Sequence, residues 1–242
     1  MSTYRVALIG NPNTGKSTLF NALTGLRQHT GNWAGKTVVR AEGEYEYNGH
    51  TYNVIDLPGT YSLFSNSVDE EVARDYIVLD RPDVTVIVLD ATAMERNMNL
   101  ALQVLEMTSR AVVCLNLIDE AGKLGIEIRE QLLAEKLGVP VVKISARNNQ
   151  GIPELLRQIE NVAERRIVPK PVQVKYSEEI ERRIQELEPE VRRLIGDDYP
   201  ARWIALRLLD GDDSIIAALE RRLGANASQT KEMIADGLSC AH

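Results

Sequence analysis

A glycine-rich octapeptide near the N-terminus constrains the fold of this chain more than any other feature. It reads Gly-Asn-Pro-Asn-Thr-Gly-Lys-Ser over residues 10–17, after the apolar run 4–9 and at the start of the helix-like segment 16–24. Glycines at such positions let a tight turn direct its backbone N–H groups inwards, at the N-terminus of a helix. The succession of strand, turn and helix predicts a P-loop, which binds the phosphates of a nucleotide.

The polar side chains of this loop suit phosphate and magnesium. Lys16 is expected to reach the β- and γ-phosphates, and the Ser17 hydroxyl to ligate Mg²⁺. The loop residues predicted to bind the nucleotide are Gly10, Asn11, Pro12, Asn13, Thr14, Gly15, Lys16, Ser17 and Thr18.

Strand-like and helix-like segments alternate after the loop. Asn48-Gly49 joins two strand-like stretches and predicts a hairpin. Such alternation predicts an α/β fold: a P-loop domain with a mostly parallel sheet and helices on both faces. The expected strands are 4–9, 37–47, 50–56, 84–90, 111–116 and 141–144, and the expected helices are 16–24, 67–79, 97–107, 129–137 and 152–163.

Two segments between the first strands suit the γ-phosphate and its metal ion. Asp56 ends a strand-like stretch, where it can hold Mg²⁺ through water, and Gly59 can offer its N–H to the γ-phosphate. Thr37 can complete the Mg²⁺ shell, although an ordinary strand residue is the alternative. The nucleotide-binding residues expected here are Gly35, Lys36, Thr37 and Val38, and then Asp56, Leu57, Pro58 and Gly59.

Two later strand ends suit the base. Asp119 can accept hydrogen bonds from N1–H and the 2-amino group of guanine, a donor pair that adenine lacks. Asn116 would connect this loop to the P-loop, and Ala146 can offer its N–H to guanine O6. The residues expected at the base are Asn116, Leu117, Asp119, Ser145, Ala146 and Arg147.

Composition and charge exclude several classes of protein. A net charge of -7 over 242 residues disfavours a nucleic-acid partner, which needs a basic surface. Cys114 and Cys240 are too far apart for a disulfide framework, and Cys114 reads as core. The histidines, His29, His50 and His242, lack metal-ligand spacing, so no histidine metal site is expected. No signal peptide and no apolar run of about 18 residues is evident.

The pattern changes near residue 167. The proline-rich stretch 168–171 reads as a linker between a G domain, 1–166, and a small all-helical domain, 167–242. Apolar residues recur every three or four positions over 180–194, which predicts an amphipathic helix that Pro189 should kink or divide. Further helices are expected from Pro200, over 213–222, and within 229–235.

These motifs, in this order, resemble the TRAFAC-type GTPases, although Leu117 replaces the lysine usual in Asn-Lys-x-Asp. Three segments are similar in detail to the cytosolic G domain of the FeoB ferrous-iron transporters: Gly-Asn-Pro-Asn-Thr-Gly-Lys-Ser, Gly-Asn-Trp-Ala-Gly-Lys-Thr-Val over residues 31–38, and Asp-Leu-Pro-Gly-Thr-Tyr-Ser-Leu over 56–63. Residues 202–212 resemble the helical domain of the same family.

The resemblance implies slow GTP hydrolysis that regulates Fe²⁺ uptake by a C-terminal membrane region of the same polypeptide, at the cytoplasmic face of the bacterial inner membrane, with a possible homo-oligomer. It also implies an activating K⁺ ion held by Asn13 with the carbonyl groups of Gly31 and Trp33. The catalytic residues would be Lys16, Asn13, Thr37 and Gly59. No glutamine follows Gly59, so backbone groups of segments 31–38 and 56–63 would place the attacking water. The alternatives are a soluble GTPase switch that recruits a protein partner, or one that acts in ribosome or tRNA maturation.

Overall fold

The structure, a computed structural model, describes residues 1–25, 28–64 and 67–223, which form two compact units. The first unit comprises Met1–Ile77 and Arg81–Gln173, and the second comprises Val78–Asp80 with the described chain from Val174 onwards. Residues 167–173, which the sequence pattern assigns to the helical part, therefore cluster with the first unit. Cys240, His242 and the expected helix within 229–235 lie outside the described residues.

A single mixed sheet organises the first unit, with its described strands in the order β2-β3-β4-β1-β5-β6-β7. The pairs β4–β1, β1–β5, β5–β6 and β6–β7 are parallel, whereas β2–β3 and β3–β4 are antiparallel. The expected mostly parallel sheet is confirmed. The strands are β1 Thr3–Gly10, β2 Gln28–Asn32, β3 Val39–Tyr47, β4 His50–Asp56, β5 Val84–Asp90, β6 Ala111–Asn116 and β7 Val141–Lys143.

Helices cover the sheet because its central strands are apolar on both faces. Val6 and Leu8 of β1 pack in one core cluster with apolar residues of two helices, α1 and α6, while Ala7 and Ile9 are equally buried on the other face. The helices of this unit are α1 Lys16–Thr24, α2 Val68–Asp75, α3 Met94–Met107, α4 Ile118–Lys123, α5 Glu130–Leu137 and α6 Ile152–Ala163; a π-helical turn, Tyr76–Asp80, continues α2.

The described part of the second unit is helical. Its helices are α7 Glu178–Ile195, α8 Ala201–Leu209 and α9 Asp213–Leu223. The Arg202 guanidinium donates to both carboxylate oxygens of Glu181, at 3.0 and 2.8 Å, and to the carbonyl oxygen of Val174 at 3.2 Å. These bonds from Arg202 lower the pKa of Glu181 to about 2. The Arg202 side chain thus connects the first turn of α8 both to the first turn of α7 and to the segment that precedes α7.

Of the two outcomes expected for Pro189, a kink or a division of its helix, division is wrong. Proline in a helix interior costs about 3 kcal/mol, yet α7 runs unbroken past it. Ile184 precedes the proline, Val191 and Ile195 follow it, and all three are buried. Continuing the helix keeps these side chains in the same core, and this burial offsets the cost. Pro200 caps α8 rather than occupying its first turn.

Two short elements were not expected from the sequence. Strand β2 has the polar sequence Gln-His-Thr-Gly-Asn, without the alternation that marks a strand, and exists through its pairing with β3. Helix α4 begins at Leu117, inside the segment assigned to base recognition. The remaining expected elements of the described residues are confirmed, with ends displaced by a few residues, and Cys114 is fully buried in β6.

The linker is held against the first unit. The Lys170 N–H donates to the carbonyl oxygen of Gly138 at 2.9 Å, and the Val172 N–H donates to that of Leu137 at the same distance. Gly138 has a φ of 71°, and a Cβ there would lie 1.8 Å from the Lys170 carbonyl oxygen. Glycine is therefore required where the linker crosses the end of α5.

Candidate functional site

The glycine-rich loop forms a tight turn between β1 and α1. Asn13 and Gly15 have left-handed backbones, with φ of 68° and 78°, a conformation that asparagine and glycine tolerate best. The Thr14 hydroxyl donates to the carbonyl oxygen of Asn11 at 3.0 Å and closes the turn. A Cβ on Gly10 would lie 2.4 Å from the carbonyl oxygen of Val88, so this glycine lets β1 and β5 stay paired up to the loop.

Lys16 joins the loop to the end of β4. Lys16 is 8% exposed, and its ammonium group pairs with the Asp56 carboxylate and donates to the carbonyl oxygen of Leu57 at 2.6 Å. Ser17, the next residue of α1, is exposed. Of the three residues expected to ligate Mg²⁺, Asp56 thus contacts Lys16 and Ser17 follows Lys16 in the chain.

The segment after Asp56 lies against the loop. The Leu57 N–H donates to the carbonyl oxygen of Leu8 at 3.0 Å, and the Thr60 N–H to that of Gly10 at 3.3 Å. A Cβ on Gly59 would lie 3.5 Å from the backbone nitrogen of Pro12. The structure therefore places Gly59 beside the phosphate-binding turn, as its assigned role requires.

Asn116 connects three loops. Its side-chain amide donates to the Thr14 carbonyl oxygen at 2.9 Å, and its side-chain oxygen accepts from the Ala146 N–H at 3.0 Å. Asn116 is 1% exposed, and a Cβ on Gly15 would lie 2.3 Å from its Nδ2. The expected connection from the base loop to the P-loop is present, and it closes around a glycine that cannot be replaced without displacing Asn116.

Asp119 faces the loop that follows β7. One of its oxygens accepts from the Asn148 side-chain amide at 3.2 Å, while the other, Oδ1, is buried with no hydrogen-bond partner among the described residues. A hydrogen bond from the Ser145 side chain is the main cause that lowers the pKa of Asp119 below its usual value. The side chain is therefore an ionised acceptor, held beside Ser145 and Asn148.

Leu117 occupies a strained position. Its φ of 63° and ψ of 30° are left-handed, a conformation that costs a non-glycine residue about 1–2 kcal/mol. The turn at Leu117 directs Asp119 into α4, because the Glu120 and Ala121 N–H groups both donate to the Leu117 carbonyl oxygen. Strain that a neighbouring hydrogen-bond network maintains is typical of binding loops.

These loops meet at the carboxyl ends of β1, β4 and β6, and comparison with known proteins identifies the family that shares them. The family model of ferrous iron transport protein B matches residues 4–159, and that of the FeoB cytosolic helical domain matches residues 176–238. This chain belongs to the FeoB family.

Relatives of known structure share both FeoB units. The cytosolic domain of the T. maritima FeoB iron transporter, in a GDP form, is 35% identical with a TM-score of 0.82, and 97% of each chain is covered. The FeoB G domain from Methanococcus jannaschii is 50% identical with a TM-score of 0.61 over 68% of this chain and 99% of its own. The expected fold, a P-loop G domain followed by a helical domain, is confirmed.

The FeoB chain described here is shorter than its curated relatives. It is 44% identical over 220 residues to the Fe(2+) transporter FeoB of Methanocaldococcus jannaschii. This match covers 88% of the present chain but only 31% of that transporter. No described helix has both the length and the hydropathy of a membrane span.

Residues 31–38, called the first switch from here on, are held by α2 and by the π-helical turn that continues α2. Lys36 pairs with Glu71 at 3.1 Å, and the Trp33 ring packs edge-on against Tyr76 at 5.4 Å between centroids. The Arg40 guanidinium lies 4.8 Å over the same indole. Trp33 is therefore an anchor of this segment.

Not all expected ligands converge. Thr37 is exposed, and among the described residues it makes no hydrogen bond to Ser17 or Asp56. Gly31 pairs with Arg40 in the β2–β3 ladder, and the Trp33 carbonyl oxygen accepts from the Lys36 N–H at 3.0 Å. In this arrangement the backbone groups of Gly31 and Trp33 are paired within their own segment.

Sequence reasoning overlooked Asn148 and gave Asn11 no specific role. The Asn148 amide donates to Asp119 and, at 2.9 Å, to the Ser145 hydroxyl, and so positions both. The Asn11 side chain is buried, and its two polar atoms have no partner among the described residues. Asn148 could have been found from the sequence, because it is a polar residue directly after Ser145-Ala146-Arg147. No feature of the sequence distinguished Asn11 from the other residues of its loop.

Proposed function

We propose that this chain binds GTP and GDP and hydrolyses GTP to GDP and phosphate. The observation that carries the proposal is the network around Asn116, which holds the phosphate loop and the base loop together, with the ionised Asp119 carboxylate held beside them by Asn148. A carboxylate acceptor in such a loop selects guanine, because adenine offers it no matching donor pair. Lys16 would bind the transferred phosphoryl group.

The residues present fit Mg²⁺. The ion prefers oxygen ligands and retains several waters, and the exposed Ser17 hydroxyl with the Asp56 carboxylate offers such a set. Magnesium supplies positive charge at the β- and γ-phosphates. Lys16 must exchange part of its bonding to Asp56 and Leu57 for phosphate oxygens, which frees the Asp56 carboxylate for the hydrated ion.

Stimulation by K⁺ is a further part of the proposal. Asn13 is exposed at the turn of the phosphate loop, where its side-chain oxygen is available to a monovalent cation. A cation between the phosphates supplies charge that stabilises the transition state more than bound GTP, and so raises turnover rather than affinity. Gly59 and the first switch, with Thr37, would position the attacking water through backbone groups.

Phosphate release in matched KCl and NaCl tests this mechanism. Wild-type turnover should be faster in KCl, and Asn13→Gly should remove the difference while retaining the left-handed backbone and GTP affinity. Asn53→Ala, on the exposed face of β4, is the matched control. Equal wild-type rates in the two salts would exclude the K⁺ site, and no phosphate release in either would exclude hydrolysis.

In the full-length protein we propose that this domain regulates Fe²⁺ uptake through an attached membrane region, from the cytoplasmic face of the inner membrane. The support is the similarity to FeoB transporters that are longer than this chain. A GTP-dependent switch that recruits a partner, such as a second copy in a homo-oligomer, is a second candidate, since Tyr61, Phe64 and Val68, in or next to segment 56–68, are each nearly half exposed. Uptake by a full-length variant that binds but cannot hydrolyse GTP separates the two, because only a recruiting switch would remain active.

A further inference from the structure

A cluster of potential metal ligands lies at the end of the sheet opposite the nucleotide site. His50 begins β4 directly after the Asn48-Gly49 turn, and Glu160 and Glu164 lie one turn apart near the end of α6. One ligand atom from each of these three side chains lies within 4.8 Å of the other two. Asp56 ends the same strand, roughly 20 Å away at about 3.3 Å per residue, so this cluster is separate from the nucleotide site.

The chemistry of the three groups suits a particular class of ion. His50 Nε2 lies 3.0 Å from a Glu164 oxygen, and the side chains of His50, Glu160 and Glu164 are 24, 4 and 16% exposed. Mixed imidazole and carboxylate ligands favour Mn²⁺, Fe²⁺, Co²⁺ or Zn²⁺, whereas Mg²⁺ and Ca²⁺ prefer oxygen alone. Ligand atoms about 2.1 Å from such an ion lie at most about 4.2 Å apart, so an ion would draw these three side chains closer together.

A second observation points into the same cluster. The Tyr52 hydroxyl is completely buried and has no hydrogen-bond partner among the described residues. Tyr52 is two residues after His50 on β4, so the two side chains lie on the same face of the sheet. A buried hydroxyl without a partner is costly, and water bound to a metal ion would provide one.

The cation now beside the carboxylates is readily displaced. Arg166 pairs with Glu160 at 3.1 Å and also with Glu164, but its own side chain is 55% exposed. It can turn into solvent while Asn48 keeps both of its hydrogen bonds to Glu160, at 3.1 and 3.2 Å. A divalent ion bound to Glu160 and Glu164 would replace the positive charge that the guanidinium supplies to these carboxylates.

His50 can present Nε2 to an ion at little cost. Its Nδ1 accepts from the Ser2 N–H at 3.3 Å, a long bond at an exposed residue, so Nε2 carries the proton that faces Glu164. Metal binding requires the other tautomer, with the proton on Nδ1. The change costs the Ser2 contact and the hydrogen bond from Nε2 to Glu164, and coordination of the ion by Nε2 and Glu164 replaces the second of these.

We propose that His50, Glu160 and Glu164 form a binding site for a divalent first-row transition-metal ion. The ion would join the β3–β4 hairpin to the end of α6, at residues far apart in the chain. The site is independent of GTP binding, so the proposal does not depend on the proposed enzymatic function.

Co²⁺ is the probe, because its visible absorption reports imidazole and carboxylate ligation. Titration of the tag-free, nucleotide-free chain should saturate at one ion. His50→Ala and Glu164→Gln should each lower the affinity at least tenfold, whereas His29→Ala, an exposed histidine on β2, should change it less than twofold. Zn²⁺ should displace Co²⁺, and millimolar Mg²⁺ should not.

Arg166→Gln distinguishes a metal site from an ion-pair network. Removing the competing guanidinium should raise Co²⁺ affinity several-fold. The same change removes the two ion pairs of Arg166, so it should not stabilise the metal-free protein. Urea unfolding in EDTA confirms that each variant is folded. Equal affinity in His50→Ala and His29→Ala, displacement by Mg²⁺, or weaker binding by Arg166→Gln would each overturn the proposal.

Discussion

Replacing Asn116 with alanine should separate the phosphate loop from the base loop. The side chain donates to the Thr14 carbonyl oxygen at 2.9 Å and accepts from the Ala146 N–H at 3.0 Å, and it is 1% exposed. Alanine cannot make either bond. The Thr14 carbonyl oxygen and the Ala146 N–H would then each lose a hydrogen-bond partner at a site that Gly15 packs against closely.

The expected loss follows from those two groups. Each buried donor or acceptor left without a partner costs about 1–3 kcal/mol, so the two groups that Asn116→Ala leaves unpaired should lower the free energy of unfolding by about 2–6 kcal/mol. At about 2–4 °C per kcal/mol for a chain of this size, the midpoint of thermal unfolding should fall by roughly 4–24 °C. GDP affinity should fall as well, because both loops contribute to one site.

Urea unfolding of the nucleotide-free chain, followed by circular dichroism, measures the first effect. Asn53→Ala on the exposed face of β4 is the control, and it should change the free energy of unfolding by less than about 0.5 kcal/mol. If Asn116→Ala unfolded with the free energy of the control, the two hydrogen bonds would not carry the stability assigned to them and this reasoning would fail.

Three further predictions follow from single residues. Asp119→Ala should abolish the preference for GTP over ATP in competition titrations, because the carboxylate that pairs with guanine is removed. Leu117→Lys should slow GDP release in stopped-flow measurements, because a lysine stem can pack over the base and loop. Glu181→Gln should destabilise the second unit at pH 7, because Arg202 holds the Glu181 pKa at about 2; this difference from wild type should be lost as the pH falls from about 4.5 to about 2.

Each of these predictions has a clear opposing result. The sign for Glu181 follows because its pKa is lower in the folded state, so the ionised form stabilises the fold above the unfolded pKa of about 4.5. A Glu181→Gln effect that persists unchanged at pH 2 would mean that packing, and not charge, is responsible. Unaltered guanine preference in Asp119→Ala, or unaltered GDP release in Leu117→Lys, would remove the respective role.

The features that the sequence determines by itself are local in origin. The phosphate loop requires left-handed residues at fixed positions, and asparagine and glycine stand there. The hairpin at Asn48-Gly49 and the buried strands β5 and β6 likewise follow from turn chemistry and from runs of apolar, largely β-branched residues. In each case neighbouring residues contain the whole physical cause, so inspection of the chain is sufficient.

Other features depend on partners that are distant in the sequence. Strand β2 is polar and forms through pairing with β3, and α7 continues past Pro189 because the residues on both sides of it share one core. The histidines have no metal-ligand spacing along the chain, yet the hairpin brings His50 against Glu160 and Glu164. Contacts across such separations are set by how the sheet and its helices pack, and only the tertiary structure could decide them.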